Sequence, residues 1–480
     1  AYVELAKDWT DWVDEAPGSA PSARDGPAME WDALNGVVVL FGGNDGSVLL
    51  GDTWEYNVGT NTWAQIAVSG PSGRLGAAMA FDSVNGVLVL FGGLSDLGYE
   101  ADTWEYNAGT NTWTETTPAT SPPAMTTVAL AFAAANGVTI LIGRNIVSQA
   151  METWAYDAAG NSWTDLAPSA QPSSRSSHVV GYHAGLGRVV LFGGVEPTPP
   201  PSGTLRGDTW EYDYGGNTWV ETVPEGPGAP DPRVSHGLGY RAATDMLLLF
   251  SGLGGAGYFT DTWAYFDDGT GSRMWMQLVT QRNPTGRRAF GFTDQATDAK
   301  QILFGGMTAA GRSGETWSFG PVFRSLGSMT SVLFDSGGAN ANWDTLSFTK
   351  TTPPNTVFRC QLASSNSPSG PWNFVGPDGQ PITFYTTSPT TIWSGHDNQR
   401  YLRYACTFIT TDNLATPALE DITIVYDVLP ASPYIVLTDP YNLEPIVPLT
   451  RPIFVRFSEA MDTASVSWTI NPPVAVTSSW

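Results

Sequence analysis

The chain has 480 residues, of which 42% are hydrophobic and 12% aromatic, and its 22 basic and 46 acidic residues give a formal net charge of −24. This length exceeds what a single hydrophobic core supports, so two or more domains are expected. The negative charge argues against nucleic acid as a partner, because binding to phosphates depends on Lys and Arg. No run of about 18 apolar residues occurs, so no membrane span is predicted.

One repeated sequence pattern dominates residues 1–320. Close copies stand at 51–63, 101–113, 151–163 and 207–219, the first of which reads GDTWEYNVGTNTW, and weaker copies follow near 261 and 315. Self-similarity with a period of about 50 residues is typical of proteins built from stacked structural repeats. The region is therefore expected to form one closed repeat architecture.

Each repeat is predicted to contain four short strands. The second repeat has strand candidates at 77–83, 87–93, 102–108 and from 111 onward, and Asn85-Gly86 separates the first two. Asn-Gly favours a tight hairpin because a type I′ turn needs positive φ at both central residues. The apolar run VLVLFGG indicates a strand buried on both faces. Trp104 and Trp113, nine residues apart, fall on the third and fourth strands and are assigned to the core rather than to a ligand.

The opening Arg, the hydrophobic run ending in Gly-Gly, and the Asp-Thr-Trp and Asn-Thr-Trp segments together resemble the kelch repeat over residues 1–320. This resemblance implies an all-β fold, a six-bladed β-propeller of four-stranded blades around a central channel. A seventh blade is the alternative count. The sixth repeat lacks its Asn-Thr-Trp strand, and residues 8–12 followed by Pro17 imitate residues 161–166 followed by Pro168. We therefore expect the N-terminal segment to supply the outer strand of the last blade and so to pair an open edge.

Two further β domains are predicted after the repeats. Residues 321–430 alternate strand candidates with Pro, Gly and Asn clusters, which indicates a β-sandwich, and its closing stretch is similar to jelly-roll modules of secreted prokaryotic proteins. Cys360 and Cys406 lie in two of its strands, where a disulfide is favoured and two buried thiols are the alternative. Residues 431–480 are similar to part of a bacterial Ig-like module, which needs about 100 residues when complete. Such modules imply an extracellular or cell-surface protein.

The sequence offers little material for a metal or cofactor site. His178 and His236 occupy the same position in successive repeats, which favours a structural role. A three-histidine metal site is not expected with four histidines in the whole chain. Kelch-type copper oxidases need a cysteine in the propeller, and residues 1–320 contain none. No cofactor is predicted, and structural Ca²⁺ at loop residues such as Asp45 and Asp96 stays open without an EF-hand spacing.

Two sets of residues are candidates for ligand binding. An arginine opens five of the six repeats just before the innermost strand, and these are Arg24, Arg74, Arg175, Arg233 and Arg287. In kelch propellers of the binding type this position lies near the channel mouth, where a ring of guanidinium groups would suit carboxylates. The alternative is that each arginine pairs with a repeat Asp or a backbone carbonyl. The second set consists of aromatic residues in the variable loops between second and third strands, Tyr99, Tyr258 and Phe259.

These features predict a non-catalytic binding or adhesion protein whose propeller recognises a protein or a glycan. Most carboxylates repeat with the blades, whereas an active site would break rotational symmetry. The first alternative is a secreted carbohydrate-active enzyme, which two converging, non-repeated carboxylates in a pocket would favour. The second is a structural subunit that self-assembles by exchanging a strand through its C-terminal module. Fold alone does not choose among these functions.

Overall fold

A computed structural model describes residues 9–197, 203–322, 326–339, 341–410, 415–428, 435–438 and 454–457. These residues are almost entirely β, and the helices among them are two 3-10 helices, Ala296–Asp298 and Ser394–His396. The all-β prediction is therefore confirmed. The chain divides into two compact units, one formed by Thr10–Gly320 and the other by Pro321–Trp480 together with Ala1–Trp9.

The first unit contains six four-stranded sheets, numbered here in chain order. Their strands, from first to fourth, are Ala28–Asp32, Val37–Phe41, Thr53–Asn57 and Thr62–Ile66 in sheet 1; Ala78–Asp82, Val87–Phe91, Thr103–Asn107 and Thr112–Thr116 in sheet 2; and Met125–Ala133, Val138–Asn145, Met151–Asp157 and Ser162–Asp165 in sheet 3. Sheet 4 has Val179–His183, Arg188–Phe192, Thr209–Asp213 and Thr218–Val223, and sheet 5 has Gly237–Arg241, Met246–Phe250, Thr262–Asp267 and Arg273–Leu278. Sheet 6 has Gly291–Gln295, Lys300–Phe304 and Thr316–Val322, and its fourth strand is the N-terminal segment Trp9–Asp14.

Sheet 2 illustrates how the repeat sequence forms these elements. Its first hairpin closes through the four residues 83–86, where Asp82 Oδ1 accepts hydrogen bonds from the N–H groups of Val84 and Asn85. Gly86 has a φ of +69°, but the φ of Asn85 is not positive, so the predicted type I′ turn is wrong. An Asp side chain that bonds the backbone two or three residues on stabilises such a turn. The second strand is buried along its length from Leu88 to Phe91, as the apolar run predicts. Each sheet therefore packs against both neighbours.

Neighbouring sheets are joined by one recurring side-chain hydrogen bond. The indole N–H of the fourth-strand tryptophan donates to the Oγ1 of a threonine on the third strand of the preceding sheet, and all these residues are buried. The pairs are Trp113–Thr53 (2.9 Å), Trp163–Thr103 (3.0 Å), Trp219–Thr153 (3.2 Å), Trp275–Thr209 (2.9 Å) and Trp12–Thr262 (3.0 Å). Trp63 of sheet 1 makes the same bond to Thr316 of sheet 6 at 3.0 Å.

A second set of bonds joins the residues that stand two positions after the repeated arginines. The N–H of Gly76 donates to the carbonyl of Gly26, Gly26 to Ala289, Ala289 to Ser235, and Ser235 to Ser177, over distances of 2.7–3.0 Å. All five residues have a φ between +51° and +67°. This left-handed backbone turns each peptide toward the next repeat, and glycine adopts it most readily.

The loops between second and third strands pair with the connectors that precede the first strands. Two connectors pair with these loops as short strands, Arg74–Leu75 with Leu94–Ser95 and Arg287–Arg288 with Met307–Thr308, and three pair through the single bridges Asp25–Asn44, Ser176–Val195 and Val234–Leu253. Further short strands pair within the loops: Leu94–Ser95 with Gly98–Tyr99, Val195–Glu196 with Thr204–Leu205, Leu253–Gly254 with Gly257–Tyr258, and Met307–Thr308 with Gly311–Arg312. Both kinds of segment therefore lie at the same end of the six sheets. We call this end the loop face, and the turns between first and second strands lie at the opposite end.

The second unit contains two sheets that share one buried cluster. The first sheet consists of Leu326–Thr330, Tyr401–Thr410, Phe334–Asp335 and Thr356–Ser365, and the second of Thr390–Thr391, Ala341–Thr351, Ala418–Val428, Ile435–Thr438 and Phe454–Phe457. Phe348 from the second sheet packs on Phe358 from the first, with ring centroids 5.3 Å apart. Most of the predicted module at 431–480 lies outside the described residues. The predicted domain boundaries and the Ig-like identity of that module stay predictions.

A disulfide bond joins Cys360 and Cys406 in the first of these two sheets. The two residues face each other directly on adjacent strands, and both side chains are fully buried. This is the pairing that the sequence favours over two separate thiols.

Candidate ligand-binding face

The five repeated arginines lie at the loop face, where their guanidinium groups are buried. Arg74 represents the set: its Nη1 and Nη2 atoms contact the two carboxylate oxygens of Asp102 at 2.6 and 2.8 Å. Its Nη1 also donates to the carbonyl of Gly92, and its Nε to the carbonyl of Ser72. The contact is a bidentate one, the geometry in which a guanidinium holds a carboxylate best.

Related ion pairs recur around the unit, and four of the five are bidentate, whereas Arg287 contacts Glu315 through Nη2 alone. The ion pairs are Arg24–Asp52, Arg74–Asp102, Arg175–Asp208, Arg233–Asp261 and Arg287–Glu315, with closest distances of 2.5–2.6 Å, and each arginine side chain is at most 2% exposed. The guanidinium groups are thus occupied by the chain's own carboxylates and carbonyls, which is the arrangement that the sequence analysis gave as the alternative to anion binding. Ligand binding by these arginines stays a prediction.

The arginine contacts lower the pKa of the carboxyl groups of Asp52, Asp102 and Asp208. Burial raises the pKa of Asp102, but hydrogen bonds from Arg74 and Trp104, together with the charge of Arg74, outweigh it and hold the pKa below its usual range. The pKa of Asp52 and that of Asp208 are lowered in the same way by Arg24 and Arg175. Each carboxylate also accepts the indole N–H of the tryptophan two residues on, as Asp102 does from Trp104 at 2.8 Å. Arginine, aspartate and tryptophan therefore form one structural unit per repeat.

The three aromatic candidates have different surroundings. Tyr99 is 41% exposed and lines a small cleft with Leu75, Leu94 and Met125. Phe259 is half-buried beneath Arg233, whose guanidinium carbon lies 3.9 Å from the centre of the ring. Tyr258 is also half-buried. Among the three, Tyr99 offers the largest exposed surface, and Phe259 supports an arginine of the repeat.

Other apolar residues at the loop face are more exposed than these aromatic candidates. Leu97 is 93% exposed, Val147 is 84% exposed and Val48 is 55% exposed. They occupy the loops between second and third strands of sheets 2, 3 and 1, so that three successive repeats each present an apolar residue next to Tyr99 or in an equivalent loop. Sequence reasoning concentrated on aromatic residues and missed them. For Val48 and Leu97 the signal was an apolar residue inside a loop rich in Gly, Ser and Asp, whereas the loop of Val147 lacks this composition.

A comparison with known families gives a match to part of the repeat region. Residues 6–194 match the family model of the KLHDC2/KLHL20/DRC7 Kelch-repeats domain. The matched stretch covers sheets 1 to 3, the first two strands of sheet 4 and the N-terminal strand, and it supports a kelch-type propeller. A Kelch domain indicates protein–protein interaction.

Within the described ranges, no three His, Cys, Asp or Glu side chains come together as a metal site. His178 and His236 are buried and pack against Gly194 and Gly252, the second glycine positions of their own repeats. In the same ranges, no helix has the length and apolar character needed to cross a membrane.

Two carboxylates on the innermost strands break the repeat. Glu30 stands where other sheets have Ala80, Ala131, Gly181, Gly239 and Thr293, and Asp294 stands where they have Trp31, Phe81, Phe132, Tyr182 and Tyr240. Burial, only partly offset by hydrogen bonds from Thr293 and Trp31, raises the pKa of Glu30 to about 7. Burial and the nearby charge of Glu30 raise the pKa of Asp294 to about 7. The two groups lie on sheets 1 and 6, the first and last of the unit.

Replacing Glu30 by glutamine is expected to remove part of the pH dependence of stability. The native carboxyl keeps its proton up to about pH 7, whereas an unfolded Glu loses it near pH 4.3, so native stability falls as the pH rises between these values. Thermal unfolding followed by circular dichroism should give a Tm difference between Glu30→Gln and the parent chain that is smallest below about pH 4 and grows as the pH rises to 8. At pH 8 the variant should melt roughly 3 °C or more higher.

The exposed Glu115 provides the matched control for this measurement. Glu115→Gln makes the same change of charge, and its Tm difference from the parent chain should not change with pH. A Glu30→Gln variant that follows the parent chain at every pH would contradict the assignment.

Proposed function

We propose that residues 10–320 form a closed, six-bladed kelch-type propeller that binds another protein through its loop face. The observation that carries the proposal is the tryptophan–threonine bond repeated between all six neighbouring sheets. Closure is supported by the bonds Trp63–Thr316 and Trp12–Thr262, which join the last sheet to the first and to the fifth. The N-terminal strand then completes the last blade, so that no sheet edge is left open at the junction.

Binding of a protein is supported by the apolar residues at the loop face. Leu97, Val147 and Val48 project from successive loops and expose surface that water solvates poorly. Contiguous exposed apolar surface on a rigid framework is typical of protein interaction sites. The repeated arginines have a structural role in this proposal, and specificity comes from the loops.

An extracellular or cell-surface location is part of the proposal. The Cys360–Cys406 disulfide supports it, because disulfides persist in oxidising compartments. The two sheets of the second unit, which share one core, support a β-sandwich that follows the propeller and serves as a spacer. The function proposed is non-catalytic binding.

The test is selection from a displayed peptide library with the intact chain as bait. Peptides selected by the parent chain are expected to bind Leu97→Asp/Val147→Asp at least tenfold more weakly. Burying each new carboxylate under the peptide costs free energy, because the charge loses its hydration. The control is Leu34→Asp/Val84→Asp, which changes two exposed apolar residues in turns at the opposite end and should bind like the parent chain. Equal loss in both variants, or enrichment of no peptide, would contradict a protein-binding loop face.

A further inference from the structure

The connector between sheets 4 and 5 forms a pocket of about 580 Å³. Its wall consists of residues 225–232, a segment of alternating Gly and Pro with two acidic side chains, together with Trp263 from the third strand of sheet 5. The pocket belongs to one connector and is distinct from the exposed apolar loop residues described above.

This connector departs from the pattern of the others. Pro224 and Arg233 are two residues further apart than Pro168 and Arg175, their counterparts before sheet 4. In three other repeats a serine two residues before the arginine accepts a hydrogen bond from its Nη2, as Ser72 does from Arg74 at 3.0 Å. Asp231 stands at this position before Arg233, and the arginine contacts only its main-chain carbonyl. The Asp231 carboxylate is exposed and has no hydrogen-bond partner among the described residues.

The indole of Trp263 is held in a fixed orientation in the pocket wall. Its N–H donates to Asp261 Oδ2 at 2.7 Å. The Asp261 carboxylate also accepts hydrogen bonds from both terminal nitrogens of Arg233. The ring is only partly buried. A fixed, accessible tryptophan face attracts cations through its quadrupole, and tryptophan is the strongest of the aromatic residues in this respect.

Charge in and around the pocket favours a cation. Glu225 and Asp231 line it, and the two arginines beside it already have partners. Arg233 is paired with Asp261 at 2.6 Å, whereas Arg206 has its Nη2 paired with Glu196 at 2.7 Å and its Nη1 3.7 Å from Glu225. The chain carries a net charge of −24, and five of its arginines are buried in pairs with its own carboxylates. The long-range field therefore attracts positive groups toward this surface.

We propose that this pocket binds the side chain of an arginine or lysine from a partner polypeptide. The cation lies against the face of Trp263, and Asp231 and Glu225 neutralise its charge. The proline rings and the main-chain carbonyls of residues 226–230 border the aliphatic part of the side chain. This inference does not depend on the exposed loop residues and can hold whether or not they bind a protein.

The test uses the intact chain labelled with 5-fluorotryptophan and observed by fluorine NMR, with the Trp263 signal assigned from Trp263→Phe. Titration with acetyl-Gly-Arg-Gly-amide is expected to give a saturable shift of that signal. Acetyl-Gly-Gln-Gly-amide, which lacks the charge, should require at least about tenfold higher concentration for the same shift. The double variant Asp231→Asn/Glu225→Gln should weaken arginine-peptide binding by a similar factor.

The control variant is Glu115→Gln/Glu221→Gln, which removes the same charge from exposed strand positions and should bind the arginine peptide like the parent chain. The remaining tryptophan signals report whether each variant keeps its fold. Absence of a Trp263 shift, an equal response to the glutamine peptide, or unchanged binding by Asp231→Asn/Glu225→Gln would each overturn the proposal.

Discussion

Replacement of Arg74 by alanine is expected to lower the free energy of unfolding by about 3 to 5 kcal/mol, because it leaves a partly buried carboxylate without its partner. Arg74 is 2% exposed, and its removal also frees the carbonyls of Gly92 and Ser72. Urea unfolding of the intact chain, followed by tryptophan fluorescence, measures the change, since most of the 19 tryptophans precede residue 320.

Arg188 supplies the matched control for Arg74. It forms an ion pair with Asp213 at 3.1 Å in the same unit, but both side chains are about one-third exposed. Arg188→Ala should therefore cost no more than about 1 kcal/mol. In a double-mutant cycle, Arg74→Ala/Asp102→Ala should be less destabilised than the sum of the two single changes. If Arg74→Ala keeps full stability but no longer binds a carboxylate ligand, Arg74 is a ligand-binding residue and its structural role is wrong.

The repeated elements could be predicted from the sequence because they depend on neighbours close in the chain. Asn85-Gly86 correctly marked the position of a turn, although not its type I′ geometry, and the apolar run at 87–91 needs only burial on both faces. The tryptophan spacing likewise indicated packing, and Trp113 is buried with its N–H bonded to Thr53. These local signals support the all-β fold before any tertiary contact is known.

The roles of the charged residues could not be predicted in the same way. Arg74 lies two residues before a left-handed turn, and from the sequence alone its guanidinium can point away from the third strand or toward it. Its orientation depends on the ion pair with Asp102, which lies 28 residues later in the chain. Glu30 and Asp294 come together only because the first and last repeats are neighbours. Aligning the six first strands shows both as exceptions, but a single sequence gives no sign that the two exceptions face each other.

Replacement of Trp12 by alanine is expected to destabilise the chain by about 3 to 5 kcal/mol, since it removes a fully buried aromatic ring. Trp12 packs on Phe250 and Phe319, with ring centroids 4.4 and 5.3 Å away, and its N–H bonds to Thr262. The loss also leaves the buried hydroxyl of Thr262 without this donor. Trp12→Phe keeps most of the packing and should cost only about 1 to 2 kcal/mol.

The location of the damage distinguishes ring closure from general core packing. If the N-terminal strand stabilises the last sheet by pairing with Thr316–Val322, Trp12→Ala should accelerate amide hydrogen exchange first in that strand. Thr209–Asp213 in sheet 4 should stay protected. Local opening at free energies below that of global unfolding is the expected behaviour of a strand that loses its edge partner. Uniform acceleration in both strands would show that Trp12 stabilises the unit as a whole, and the closure role assigned to residues 9–14 would then be wrong.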